Sequence, residues 1–327
     1  MKLIISKGFE YRGRCVSGIF GFEDDSIVFI RLIDTEELSG KNSPVSVGDV
    51  IIGRVDEISE ELDAAFVSYA PDKKGFLRLN RLPSRDFKLK CGMLLPVMIQ
   101  AQEMRGKRAA LNAKVDWKRM PEGESLKERS SHLAAFNVLF KAPGVLDETL
   151  NEFGELSEIV TDSEDVYEKI RDKYQARYHL DEYPLHKLYK LETAMDLGLS
   201  RQVWLKSGGY LIIDHTEAMT VIDVNTGGSD HGKSDREKYL MSLNLESSEE
   251  IARQLRLRNI SGIVIIDFIN LSLSNDREAL LENMRRVTSS DTSEVHVIDI
   301  TQLNLMELTR AKKYMSLREQ YDALSKK

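Results

Sequence analysis

Cysteine is nearly absent from this chain. Only Cys15 and Cys91 occur among 327 residues, far apart and with no Cys-x-x-Cys pair. Such spacing supports neither a disulfide framework nor a zinc site. Long hydrophobic runs are missing as well. No stretch approaches the roughly 20 apolar residues of a membrane span, and the N-terminus carries no signal-like apolar segment. A cytoplasmic protein with no membrane partner is therefore expected. Positive charge is not in excess: the formal net charge is −7 and the isoelectric point about 5.6. This disfavours a protein coated in nucleic acid. It does not disfavour a local basic channel, because binding responds to clustered charge rather than to the total. Internal repeats and low-complexity tracts are also lacking. What is present, 42% hydrophobic and 30% charged residues over a length sufficient for two or three domains, describes a globular chain with ample core.

Two short apolar runs each end on an aspartate: Met219-Thr220-Val221-Ile222-Asp223-Val224-Asn225 and Ile263-Val264-Ile265-Ile266-Asp267-Phe268. A basic amphipathic helix pattern lies between them, so the three segments read as a βαβ unit. Parallel strands bring their carboxyl ends to one edge, where ligands bind. Asp223 and Asp267 can then sit side by side. Two unneutralised carboxylates repel, and a divalent cation relieves this; Mg²⁺ commonly binds through one or two carboxylates plus waters and substrate phosphates. The plainer alternative is that each aspartate only caps a turn.

Along the chain, residues 2–5, 13–21 and 26–33 alternate like strands of an antiparallel meander, with a break at Asn42-Ser43-Pro44. Residues 45–113 hold about five short strands rich in glycine, which suggests a small barrel such as an OB-fold. Helices are expected over residues 147–153, 163–175, 186–197, 244–258 and 276–288, with an acidic start at Asp162-Ser163-Glu164-Asp165. Residues 203–205 and 210–214 read as a hairpin about Ser207-Gly208-Gly209, residues 295–299 as a strand, and residues 305–324 as a closing helix.

Several long strings resemble the ribonuclease E/G family. These are Ser207-Gly208-Gly209, Thr216-Glu217-Ala218, Ile222-Asp223-Val224-Asn225-Thr226-Gly227, Asn244-Leu245-Glu246, Glu250 through Ile260, Gly262 and Ile266-Asp267-Phe268-Ile269. Met306-Glu307-Leu308-Thr309-Arg310 resembles that family's "EMTR" helix start. Ala64-Ala65-Phe66-Val67 with Gly75-Phe76-Leu77 resembles its S1-like RNA-binding domain. The resemblance implies a multi-domain α/β architecture: an RNase H-like fold (residues 1–44 and 114–199, the latter with a linker) split by an S1-like OB barrel (45–113), then a DNase I-like catalytic domain (200–327). It also implies endonucleolytic cleavage of single-stranded RNA, with Asp223 and Asp267 holding Mg²⁺ and Asn225 supporting the first of them. In such chemistry the metal polarises the scissile phosphate and activates water for in-line attack.

Three departures from the family pattern bear on this. The zinc-binding CPxCxG motif is absent, so no zinc-linked oligomer is expected and a monomer is compatible with that. No string matches the "RTAG" motif of the 5′-monophosphate sensor. The loop after Asn225 lacks the usual arginine and aromatic, although Gly232-Lys233 remains, and Asn270 replaces the usual acidic residue after "DFI".

Further candidates for RNA contact are Phe66 and Phe76 by base stacking, Lys107 and Arg108 in a basic run, Lys233, and Arg253 and Arg310 as phosphate partners. A strand phenylalanine is more often core, a basic run more often a solvated turn, and a helix arginine more often part of a polar face. Asp299 is a weak third carboxylate and His231 a solvated loop residue. The expectation is a Mg²⁺-dependent endoribonuclease. The alternative is a non-catalytic RNA-binding or ribosome-associated protein that keeps the fold.

Overall fold

The computed structural model describes residues 1–35, 38, 45–84, 86–101, 108–227, 236–270 and 274–324. Asn42-Ser43-Pro44, Lys107, His231 and Lys233 lie outside them. The chain forms two compact units, one of Met1–Ser39 with Asn151–Lys327, the other of Gly40–Leu150.

The first unit opens with the meander β1 (Lys2–Tyr11), β2 (Arg14–Glu23) and β3 (Ser26–Leu32). The second unit is built on β4 (Val50–Ser59), β5 (Ala64–Ala70), β6 (Lys73–Arg78), β7 (Leu94–Ala101) and β8 (Ala109–Asn112). Pairing of β5 with β6, β6 with β8, β8 with β7, and β4 with both β7 and β5 closes a five-stranded ring. The ring is consistent with the OB-like barrel expected from the glycine-rich strand density. Alternate residues Val55, Ala65, Val67, Leu77, Val97 and Leu111 fill its interior.

Beyond residue 113, helix α1 (Gly123–Ser130) is followed by β9 (Val138–Phe140), which adds to β4 as a sixth strand. The fully buried Asp49 carboxylate ties that return segment down. It accepts from the Ala142 amide and from Lys141 Nζ, each at 2.8 Å.

Helix α2 (Val145–Glu152) leads back to the first unit. Strand β10 (Glu158–Thr161), helix α3 (Glu164–Ile170), strand β11 (Ala176–Tyr178) and helices α4 (Leu185–Leu188) and α5 (Leu191–Leu199) follow. Ser163 caps α3 as its acidic start foretells, accepting from the Val166 amide. β10 and β11 join the meander in parallel with β1, giving the order β11-β10-β1-β2-β3.

The remaining elements are β12 (Gln202–Trp204), β13 (Tyr210–His215), β14 (Met219–Asn225), α6 (Arg236–Leu257), β15 (Gly262–Asp267), α7 (Ser274–Thr288), β16 (Val295–Ile300), β17 (Leu305–Arg310) and α8 (Leu317–Ala323). The sheet order is β12-β13-β14-β15-β17-β16, with β14 and β15 parallel through the α6 crossover. Leu243, Ile251 and Leu255 of α6 and Leu280 and Met284 of α7 pack on Ile222, Val224, Val264, Ile266, Met306 and Leu308. Alternation sends the intervening strand residues to the opposite, open face.

One element corrects the sequence reading. Residues 305–310 are strand β17, not the start of a closing helix, and only Leu317–Ala323 is helical there. Met306, Leu308 and Arg310 are buried while Leu305, Glu307 and Thr309 are not, a period of two that pairing with β15 and β16 enforces.

Candidate active site

Asp223 and Asp267 are direct cross-strand partners in the parallel β14–β15 pair. Each is flanked by core residues, Ile222 and Val224 for the first, Ile266 and Phe268 for the second. Both side chains therefore point to the open face, at the carboxyl edge of the strands, and both reach solvent. Asn225, two residues on and on the same face, donates from Nδ2 to Asp223 Oδ2 at 2.9 Å. Its amide oxygen is left facing away from that bond. Partial burial, and then the neighbouring Asp223 charge, lift the Asp267 carboxyl above the ordinary aspartate range.

The backbone around this pair is fixed by side chains of α6. Buried Asn244 makes a two-way bond with the segment after Asp267, donating to the Ile269 carbonyl at 2.7 Å and accepting from its amide at 3.1 Å. Glu246 Oε1 accepts from the Lys206 and Ser207 amides and so holds the β12–β13 turn against α6. The chain leaving β14 passes so close to that turn that it needs glycine: Gly227 sits at φ +69°, and a Cβ there would stand 2.1 Å from the Gly208 carbonyl oxygen. Asn270 accepts from Asn304 at 2.8 Å, so the residue that departs from the family pattern is engaged within the fold.

Two adjacent carboxylates suit a hard divalent cation that keeps waters and takes phosphate oxygens. No group of three or more His, Cys, Asp or Glu is arranged to hold a metal among the described residues, so such an ion would have two acidic anchors. Asp299 is not a third. It lies across β17 from β15, opposite Glu307.

The barrel carries a separate cluster. Phe66 and Phe76 are cross-strand partners whose neighbours Ala65, Val67 and Leu77 point inward, so both rings lie on the outer surface, half-buried. Their centroids are 5.9 Å apart in an edge-to-face pair, and the Arg108 guanidinium stands 5.1 Å from the Phe66 ring. These three residues share one surface patch.

Two arginines are engaged within the fold instead. The Arg310 side chain is 3% exposed, paired with Asp291 at 2.9 Å and bonded to Asn259 Oδ1 and the Ile260 carbonyl. It sits on the buried face of β17 as a structural strut, so the expectation of RNA contact is corrected. Arg253 is bonded through Nε and Nη2 to Glu250 and through Nη1 to the Ile27 carbonyl, fastening α6 to β3. Its donors face protein acceptors rather than an open phosphate path.

Sequence reasoning passed over Trp204 and Tyr210. They lie on the open face and touch at 5.2 Å between ring centroids. The signal was available: Val203 and Leu205 are apolar and inward, so the residue between them must point outward. No helix is long and apolar enough to cross a membrane among the described residues.

The sequence matches the model of the Ribonuclease E/G family over residues 99–313. It is 28% identical to Ribonuclease E of Synechocystis sp. over 370 aligned positions, covering 87% of this chain and 55% of that protein. It is 39% identical to Ribonuclease G of Salmonella typhimurium over 166 positions, covering 48% of this chain and 34% of the relative. For Ribonuclease G of Escherichia coli K12 the identity is 42% over 127 positions, 39% of this chain and 26% of the relative. The chain thus spans about half or less of these relatives' length. The solution structure of GSP13 from Bacillus subtilis aligns with 35% of this chain and 92% of its own, at 19% identity and a TM-score of 0.21, a likeness too slight to carry weight. With a family match extending over most of its length, the chain belongs to the ribonuclease E/G family.

Proposed function

We propose that this protein is a Mg²⁺-dependent endoribonuclease that cuts single-stranded RNA by attack of water on the phosphodiester. The observation that carries the reading is the register of Asp223 against Asp267 at the carboxyl edge of two parallel strands. Family membership supports the same substrate class. Asp223 and Asp267 would hold the ion, which when bound supplies charge neutralisation at the scissile phosphate and activation of water. The chain's own residues prepare the place. Asn225 fixes the Asp223 rotamer, Asn244 fixes the backbone after Asp267, and the Asp267 pKa is raised by partial burial and then by the Asp223 charge, both of which a bound cation would offset.

Phe66, Phe76 and Arg108 would take bases and a phosphate of the same strand. An RNase H-like assignment for the five-stranded sheet is supported by its make-up: three antiparallel strands from before the barrel and two parallel ones from after it. A DNase I-like assignment for residues 200–327 rests on the family resemblance and on the six-stranded sheet bearing the aspartates.

The test is cleavage of a labelled, unstructured RNA by the purified chain with Mg²⁺ and with EDTA, beside Asp223→Asn and Asp267→Asn. Cutting that needs Mg²⁺ and both aspartates is expected. Binding of RNA without any cutting by the unaltered chain would favour the non-catalytic RNA-binding alternative. Cutting by either variant at the unaltered rate would reject the metal site.

A further inference from the structure

The six-stranded sheet bears a second aromatic pair, in the same unit as the two aspartates and on their face. Trp204 pairs across the sheet with Tyr210, and Tyr210 pairs with Asn225. The next row on that face runs Ile212, Asp223, Asp267, Leu305. Neighbouring strands lie about 4.8 Å apart and same-face residues about 7 Å along a strand. Trp204 therefore stands two strand spacings across the sheet from Asp223 and one same-face step along it, within the reach of one or two nucleotides of a bound strand.

Trp204 is 67% exposed although it is the largest side chain in its strand. It lies on the edge strand of its sheet, with the Tyr210 ring at 5.2 Å and an interplanar angle of 57°. Its exposure leaves ring surface free for a base. The next turn residue, Lys206, is exposed and makes no ion pair among the described residues, so a cation is at hand for the phosphate joined to a stacked base. A flat aromatic face, a backing ring and a nearby ammonium are what a single-stranded nucleotide needs, and stacking accepts any base.

We propose that Trp204, backed by Tyr210, is a stacking platform that holds one nucleobase of single-stranded RNA on the same sheet face as the Asp223–Asp267 pair. It acts as a positioning residue, setting which phosphate comes to the aspartates. This rests on the proposed endoribonuclease reading for its role in cleavage, but not for the stacking itself.

Trp204 and Trp117 are the two tryptophans of the chain, which allows a direct readout. In a Trp117→Phe, Asp223→Asn chain, emission from Trp204 is followed while a short oligouridylate is added, with the oligonucleotide checked intact afterwards. Saturable quenching is expected, and much less with an abasic ribose-phosphate chain of equal length and charge. Unchanged emission, or equal quenching by the abasic chain, overturns the platform.

In the otherwise unaltered chain, Trp204→Ala should raise KM for a short RNA at least about fivefold, the lower end of what one base stack supplies. Trp204→Phe should restore most of it, with circular dichroism and Tm unchanged. An unchanged KM in Trp204→Ala overturns the positioning role. A chain that quenches with oligouridylate yet cuts nothing in Mg²⁺ would refute the enzyme reading and leave the platform standing.

Discussion

Asp267 differs from an ordinary surface aspartate because its carboxyl is held above the usual range by burial and by Asp223. A raised folded-state pKa means that stability from this group is fully present below the unfolded value and is lost as pH rises through the folded one. At pH 7, without metal, the ionised side chain is a liability. Asp267→Asn should therefore raise Tm relative to the unaltered chain at pH 7, and the difference should shrink toward pH 4. Calorimetry in EDTA at the two pH values checks this, and a lower Tm at pH 7 would mean the carboxylate is structurally required.

Phe66→Ala and Phe76→Ala should each weaken binding of single-stranded RNA by roughly 1–3 kcal/mol, read by filter binding. The rings are half-buried on the outer barrel face, so far-ultraviolet circular dichroism should be unaltered.

Legibility at this scale followed chemistry. Two aspartates each ending an apolar run could be paired from sequence, because strand direction places them. Glu250, three residues before Arg253 on one helix, was a legible partner, but Asp291 for Arg310 and the Ile27 carbonyl for Arg253 were not, since only tertiary structure brings them close.

Among elements, β17 is the instructive failure. Leu305-Met306-Glu307-Leu308-Thr309-Arg310 holds good helix formers, and its resemblance to a helix start reinforced that reading. Pairing on both sides overrode propensity, because β15 and β16 offer ladders along its whole length. The strand's far end is then locked by a buried ion pair, with Arg310 and Asp291 side chains 3% and 2% exposed. Removing one partner of such a pair strands the other charge away from water. Asp291→Ala should cost about 3–5 kcal/mol of stability, measurable by urea unfolding. A loss below about 1 kcal/mol would show that Asn259 and the Ile260 carbonyl suffice for Arg310.

The βαβ unit itself was legible from period and spacing. The helix begins at Arg236, ahead of the expected residue 244, because its charged Arg236-Glu237-Lys238 start and the contiguous Tyr239-Leu240-Met241 run carry little signal of period 3.6.

For the whole molecule, the closed five-stranded ring was foreseen from glycine-rich strand density, whereas β9 was not. Three residues that pair only with β4 leave no periodicity to read, and the Asp49 anchor joins positions 93 apart.

The chain's response to RNA ends follows from the segment after the barrel. No "RTAG" string occurs in it, and its Arg119 is an exposed side chain beside Asp116 at 3.2 Å. RNAs that differ only in a 5′ triphosphate, monophosphate or hydroxyl should be cut at rates within about threefold, short of the roughly 1.4 kcal/mol a tenfold preference needs. A tenfold preference for the monophosphate would reveal a sensor.

The central claim is that Asp223 and Asp267 work as one metal site. Single-turnover cleavage of one labelled RNA at saturating Mg²⁺, by the unaltered chain, Asp223→Asn, Asp267→Asn and the double variant, tests it most directly. Residues that act as a unit are non-additive, so each single variant should lose nearly all activity and the double variant no more than either. Losses that multiply in the double variant, or a single variant that still cuts at the unaltered rate, would contradict it.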